Sequence, residues 1–74
     1  MTPTAPTQWP AADGGAISCR DKLKVLAENH AEVAQVLQDA FEDAVLMGVD
    51  EAAMRDILGA LVRSLRSPMA RAAE

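Results

Sequence analysis

An all-α fold, an antiparallel helical hairpin that dimerises into a four-helix assembly, is what this sequence predicts, and three observations predict it. Two stretches carry apolar residues at helical spacing, separated by the corner Met47-Gly48-Val49-Asp50. The two stretches are unequal in length, so a short helix folded back on a long one leaves apolar surface over. No stretch alternates apolar with polar residues in the way a half-buried strand does.

Residues 1–16 come first and lack periodicity. They hold Pro3, Pro6, Pro10 and the Gly14-Gly15 pair, which marks a disordered arm. Trp9 is the large apolar side chain of this arm. It is read either as solvent-exposed or as an anchor for a partner's groove, since tryptophan is enriched among binding hot spots.

A long helix is expected from Ser18 to Met47. Ser18, with Ile17 before it and Asp21 three residues later, has the form of a capping box with Asp in place of Glu or Gln. Leu23, Leu26, His30, Val33, Leu37, Ala40, Ala44 and Met47 then recur at intervals of three and four, with Ala27, Ala34 and Phe41 widening the stripe. Val25, Val36, Val45 and Leu46 lie off it, so a second face is partly apolar and more than one neighbour is implied.

The corner joins a stop to a start. Gly48 suits the left-handed residue that closes a helix, and Asp50 is an N-cap with Glu51 in the turn behind it. A short helix follows from Glu51 to Arg66, with Val49 and Met54 placed as a hydrophobic staple and Met54, Ile57, Leu58, Leu61, Val62 and Leu65 as its inner face. Arg63 and Arg66 suit its last turn, Pro68 ends it, and residues 68–74 form a frayed tail. The domain is therefore expected over residues 17–67. At ~1.5 Å per residue the two helices measure about 44 Å and about 24 Å, which leaves the apolar half of the first, around Leu23, Leu26 and His30, without cover from the second.

Size leads to the same expectation. The sequence has 74 residues with one cysteine and one histidine, so neither an intrachain disulfide nor a structural zinc site can supplement a small core. Chains shorter than roughly 70–80 residues usually need such a supplement or a partner. A homodimer, with Leu23, Leu26, His30, Val33, Leu37 and Phe41 at its interface, is the remedy left.

Charge refines the picture. Arg20, Lys22 and Lys24 sit near the amino end of the long helix, and Asp39, Glu42 and Asp43 near its carboxyl end, opposite to what the helix dipole favours. An antiparallel pair of long helices would set each basic end against an acidic one. The net charge of −4 argues against a general nucleic-acid or anionic-membrane binder. A local basic patch of Arg20, Lys22, Lys24, Arg63 and Arg66 remains a candidate for phosphate contact. With no apolar run of membrane-spanning length and no basic residue before Arg20, the protein is expected to be cytoplasmic, where an unpaired thiol is at home.

Catalysis is not expected, and neither a metal nor a cofactor is called for. Two helices enclose no pocket of the usual kind, and the sequence has no Gly-rich phosphate loop or metal-ligand cluster. The acid pairs Glu28 with Glu32 and Asp39 with Asp43 fit a solvated helix face. His30, on the apolar stripe, is read first as a packed boundary residue; at a dimer seam it would act as a proton switch, because charging an imidazole among apolar groups loosens the contact. Cys19, in the first turn beside Arg20 and Lys22, is a candidate reactive thiol, since that setting favours the thiolate.

From Val33 to Leu65 the pattern resembles a family of small enterobacterial biofilm and acid-resistance regulators. The shared features are Val36-Leu37, Ala40, Leu46-Met47-Gly48, Ile57-Leu58, Leu61 and Ser64-Leu65, with a one-residue shift after the corner. The family's pattern continues into a further helix, whereas this sequence carries an amino-terminal extension instead. The resemblance implies a helical, dimeric bacterial regulator that works through protein contacts, and it assigns no site residue. The function expected is thus a small non-enzymatic interaction or regulatory module acting as a homodimer. The alternatives are an accessory subunit of a larger enzyme or secretion complex, and a weak DNA-binding regulator using the basic patch.

Overall fold

The computed structural model describes residues 4–69, and the remaining parts of the expected arm and tail lie outside them. Two helices are present, α1 (Arg20–Leu46) and α2 (Glu51–Arg63), joined as a helical hairpin. No strand occurs among the described residues. The chain divides into two compact units whose border, between Asp39 and Ala40, falls inside α1.

α1 begins at Arg20 in the first unit, with its cap one residue later than the Ser18 that the capping pattern predicts, and it ends in the second unit at Leu46, one residue before the expected Met47. The Leu23 N–H bonds to the Cys19 carbonyl at 2.9 Å, which makes Cys19, not Ser18, the residue that caps the helix. The first turn holds Asp21, and the last turn of α1 holds no basic residue, as the charge pattern predicts.

The arm has local structure. Over the described part of residues 1–16 it turns back on itself: the Ala11 N–H donates to the Gly15 carbonyl at 2.8 Å and the Ile17 N–H to the Trp9 carbonyl at 2.8 Å. Pro10 and Ala16 form an isolated antiparallel bridge. Gly14 takes φ +96°, and the Asp13 carboxylate accepts the Gly15 N–H at 2.9 Å. Asp-Gly-Gly is turn chemistry, with an Asx-type contact and a glycine in the left-handed region. Three prolines and no periodicity suggest disorder, but this turn and the apolar Trp9 and Ile17 on either side of it give the arm a shape.

In the second unit the corner closes as a Schellman motif. The Gly48 N–H donates to the Val45 carbonyl at 3.0 Å and the Val49 N–H to the Ala44 carbonyl at 2.9 Å. Gly48 has φ +102°, and nothing stands within 4 Å of where a Cβ would lie, so conformation, not space, demands glycine there. Asp50 is extended, and its carboxylate accepts the Ala53 N–H at 2.9 Å, which caps α2. Within this unit the Arg55 guanidinium lies 4.8 Å from the centre of the Phe41 ring, a cation–π contact between α2 and the carboxyl end of α1.

α2 ends at Arg63, three residues before the expected limit. The Ser64 hydroxyl donates to the Leu61 carbonyl at 2.7 Å, and Ser64 closes the helix. Pro68 disfavours helical geometry at Ser67 before it, so the helix cannot run through. Pro68 is also a beginning: residues 68–69 are helical, and the Ser67 hydroxyl accepts the Met69 N–H at 3.1 Å.

Very little of this is core. Among the described residues Ala44, at 7 % exposure, is the one buried hydrophobic side chain.

Candidate interaction surface

The expected interface residues are distributed unequally. Leu23, Leu26, His30 and Leu37 in the first unit are half-buried, and Val33 is exposed. Phe41, in the second unit, is half-buried and already carries Arg55 on its ring. The reading that the amino half of α1 is bare around Leu26 and His30 is corrected by the arm. Trp9 packs edge-on against His30 with ring centroids 6.1 Å apart and an interplanar angle of 78°, a T-shaped aromatic pair. Trp9 thus anchors on its own chain. The signal for this lies in the sequence as a turn at Asp13-Gly14-Gly15 that can carry Trp9 back toward α1.

Two open clefts flank that contact. One, of about 590 Å³, is bounded by Trp9, Pro10, Ala11, Ala12, Ile17, Val25 and Leu26, with Asp21 and Lys22 also lining it. The other, of about 400 Å³, is bounded by Trp9, Leu26, His30, Val33, Ala34 and Leu37. Both are lined almost wholly by apolar atoms, and neither gathers acids, bases or nucleophiles in the pattern that general acid–base or nucleophilic chemistry needs.

Cys19 is exposed, and its thiol pKa is held below the ordinary value. The main cause is hydrogen bonding from the backbone N–H groups of Lys22 and then of Asp21, with the Lys22 charge adding to it. The sulfur therefore plays the part that a serine or aspartate oxygen plays at other helix starts. Among the described residues no group of three or more His, Cys, Asp or Glu side chains gathers in a way that could hold a metal ion.

The basic candidates are divided between the units. Arg20, Lys22 and Lys24 belong to the first, where Lys24 meets Glu28 at 4.0 Å in an exposed i,i+4 pair. Arg63 and Arg66 belong to the second, and the Arg63 guanidinium lies 3.0 Å from where a Cβ on Gly59 would be, folded back along its own helix.

α2 also departs from expectation. The six residues expected to form one inner face split into two sets. Met54 and Leu58 are half-buried, together with Gly59, on the side that carries Arg55 to Phe41. Ile57 and Leu61 are exposed at 52 % and 59 %, and Val62 and Leu65 are exposed as well. At the corner, Leu46 and Met47 are exposed at 85 % and 79 %. At ~100° per residue the six still share one stripe, with Leu61 and Leu65 on either side of Met54, so part of that stripe is covered and part is left exposed.

Compared with known proteins, the chain matches no protein-family model, no curated protein and no solved structure. Among the described residues no helix is long and apolar enough to cross a membrane.

Proposed function

We propose that this chain is a small, non-enzymatic interaction module of regulatory type that works as a homodimer. The observation that carries the proposal is the near-absence of a core: among the described residues one alanine is buried, while Ile57, Leu61, Val62, Leu65 and Leu46 stand exposed. A chain of this size gains too little from such burial to fold firmly alone, and a second surface supplies what is missing. The resemblance over Val33 to Leu65 favours the same reading.

Sedimentation velocity across micromolar concentrations tests it. A helical dimer that dissociates on dilution is expected; a well-folded monomer at every concentration would overturn the proposal. A second reading, an accessory subunit of a larger complex, draws on the exposed Leu46 and Met47 at the corner. Its signature is low helicity alone and folding on co-expression with the product of a neighbouring gene. Direct DNA contact draws less support, because the net charge is −4 and Lys24 already shares its charge with Glu28. A complex in a gel shift at low salt that disappears steeply as salt rises would revive it.

A further inference from the structure

The exposed stripe of α2 has a polarity that suits a second copy of itself. Ile57 and Leu61 lie about 40° apart on the helix at ~100° per residue, and Ala53, Ala60 and Ser64 continue the stripe on one side. All five are exposed. The small residues would let another helix approach closely. Asp56 and Arg63 stand seven residues apart, so they fall on nearly the same edge of the stripe, one toward each end. Among the described residues neither makes an ion pair, the pair found there being Lys24 with Glu28. Farther out, Asp50 and Glu51 make the start of α2 acidic, and Arg63 makes its end basic.

A helix with one acidic and one basic end along a single edge is complementary to an antiparallel copy. A parallel copy would set like charges side by side. In antiparallel coiled-coil geometry the flanking positions meet their own kind across the seam, and the two-fold makes each contact occur twice. We propose that two copies associate through the outward stripe of α2, antiparallel about a two-fold axis, with Asp56 of each copy against Arg63 of the other. Ile57 and Leu61 then fill the seam, and the opposed helix dipoles favour the same direction. This inference rests on the homodimer reading and places its contact on α2, where the sequence pattern alone points to α1.

Charge exchange in the full chain tests it. Asp56→Arg and Arg63→Asp each create like-charge contacts across the proposed seam, and each alone is expected to weaken the dimer by about tenfold or more in sedimentation equilibrium at low salt. An equimolar mixture of the two variants is expected to regain tight association as a heterodimer visible in native mass spectrometry, because both cross-seam contacts become complementary again. Circular dichroism of each variant verifies that the helices persist. A wild-type dimer that neither substitution weakens would overturn the α2 seam and leave the homodimer reading standing, as would a dimer weakened by both but not restored in the mixture. A wild-type chain that is a folded monomer would overturn both readings together. Weakening by each substitution alone, with recovery on mixing, is the supporting result.

Discussion

Two side chains of the first unit show how much can depend on a single residue. Cys19 caps α1 with sulfur, and backbone N–H groups from Lys22 and Asp21 lower its pKa. Such stabilisation is present above the pKa of the unfolded chain and fades as pH falls through the lower folded value. The midpoint of the pH profile for alkylation of Cys19 is therefore expected below that of the same chain in denaturant. Coincident midpoints would show that the cap does not form. Trp9 is the one tryptophan in the sequence, so its fluorescence reports the arm without interference. With its edge-on contact to His30 in place, emission is expected blue of the denatured chain, and His30→Ala is expected to shift it toward red and raise quenching by acrylamide. T-shaped pairs of this type are worth about 0.5–1.5 kcal/mol, enough to hold a short arm most of the time but not permanently. Identical quenching in the wild type and the variant would mean that the arm is not docked on His30.

At the scale of the element, the corner and the start of α2 were the most legible parts of the sequence, since caps act over three or four residues and their signals are adjacent. Gly48 has φ +102° and Asp50 accepts the Ala53 N–H, as the residue types predict. Gly48→Ala is expected to destabilise the hairpin by roughly 1 kcal/mol through backbone conformation, and Asp50→Ala by about the same through loss of the cap. Gly59→Ala should act in the opposite direction. The nearest obstacle is the far end of the flexible Arg63 side chain, and removing a helical glycine is worth about 0.5–1 kcal/mol. Urea titration followed by circular dichroism measures all three, and a destabilised Gly59→Ala variant would mean that Arg63 is held over Gly59 by something stronger than chance. Two of the three differences in helix extent also have local causes. Ser18 and Cys19 are both small side chains able to accept N–H groups, and the choice between them depended on where the arm's last hydrogen bond, from Ile17 to Trp9, releases the chain. The end of α2 moved back to Ser64 because a serine that bonds to a carbonyl three residues earlier and a proline shortly after it both act against continuation.

For the molecule as a whole, stability is expected to depend on association. If folding and dimerisation are linked, the thermal midpoint rises with protein concentration by mass action, and the slope reports the dimer. A midpoint that stays constant over a hundredfold range would indicate that α2's exposed stripe contributes nothing by pairing. The sequence by itself determined which segments are helical, where the chain turns between them, and that the apolar surface exceeds what a short helix folded on a long one covers. Those properties follow from side-chain periodicity, capping and turn chemistry, which are set by neighbours a few residues apart. Only the tertiary structure decided which apolar face meets which. It placed Trp9 against His30, turned Met54 and Leu58 inward, and left Ile57 and Leu61 outside. The physical reason is that hydrophobic burial is non-directional, so an apolar stripe does not say which of its residues are covered until packing between helices, here including the Phe41 and Arg55 contact, sets the helix's rotation.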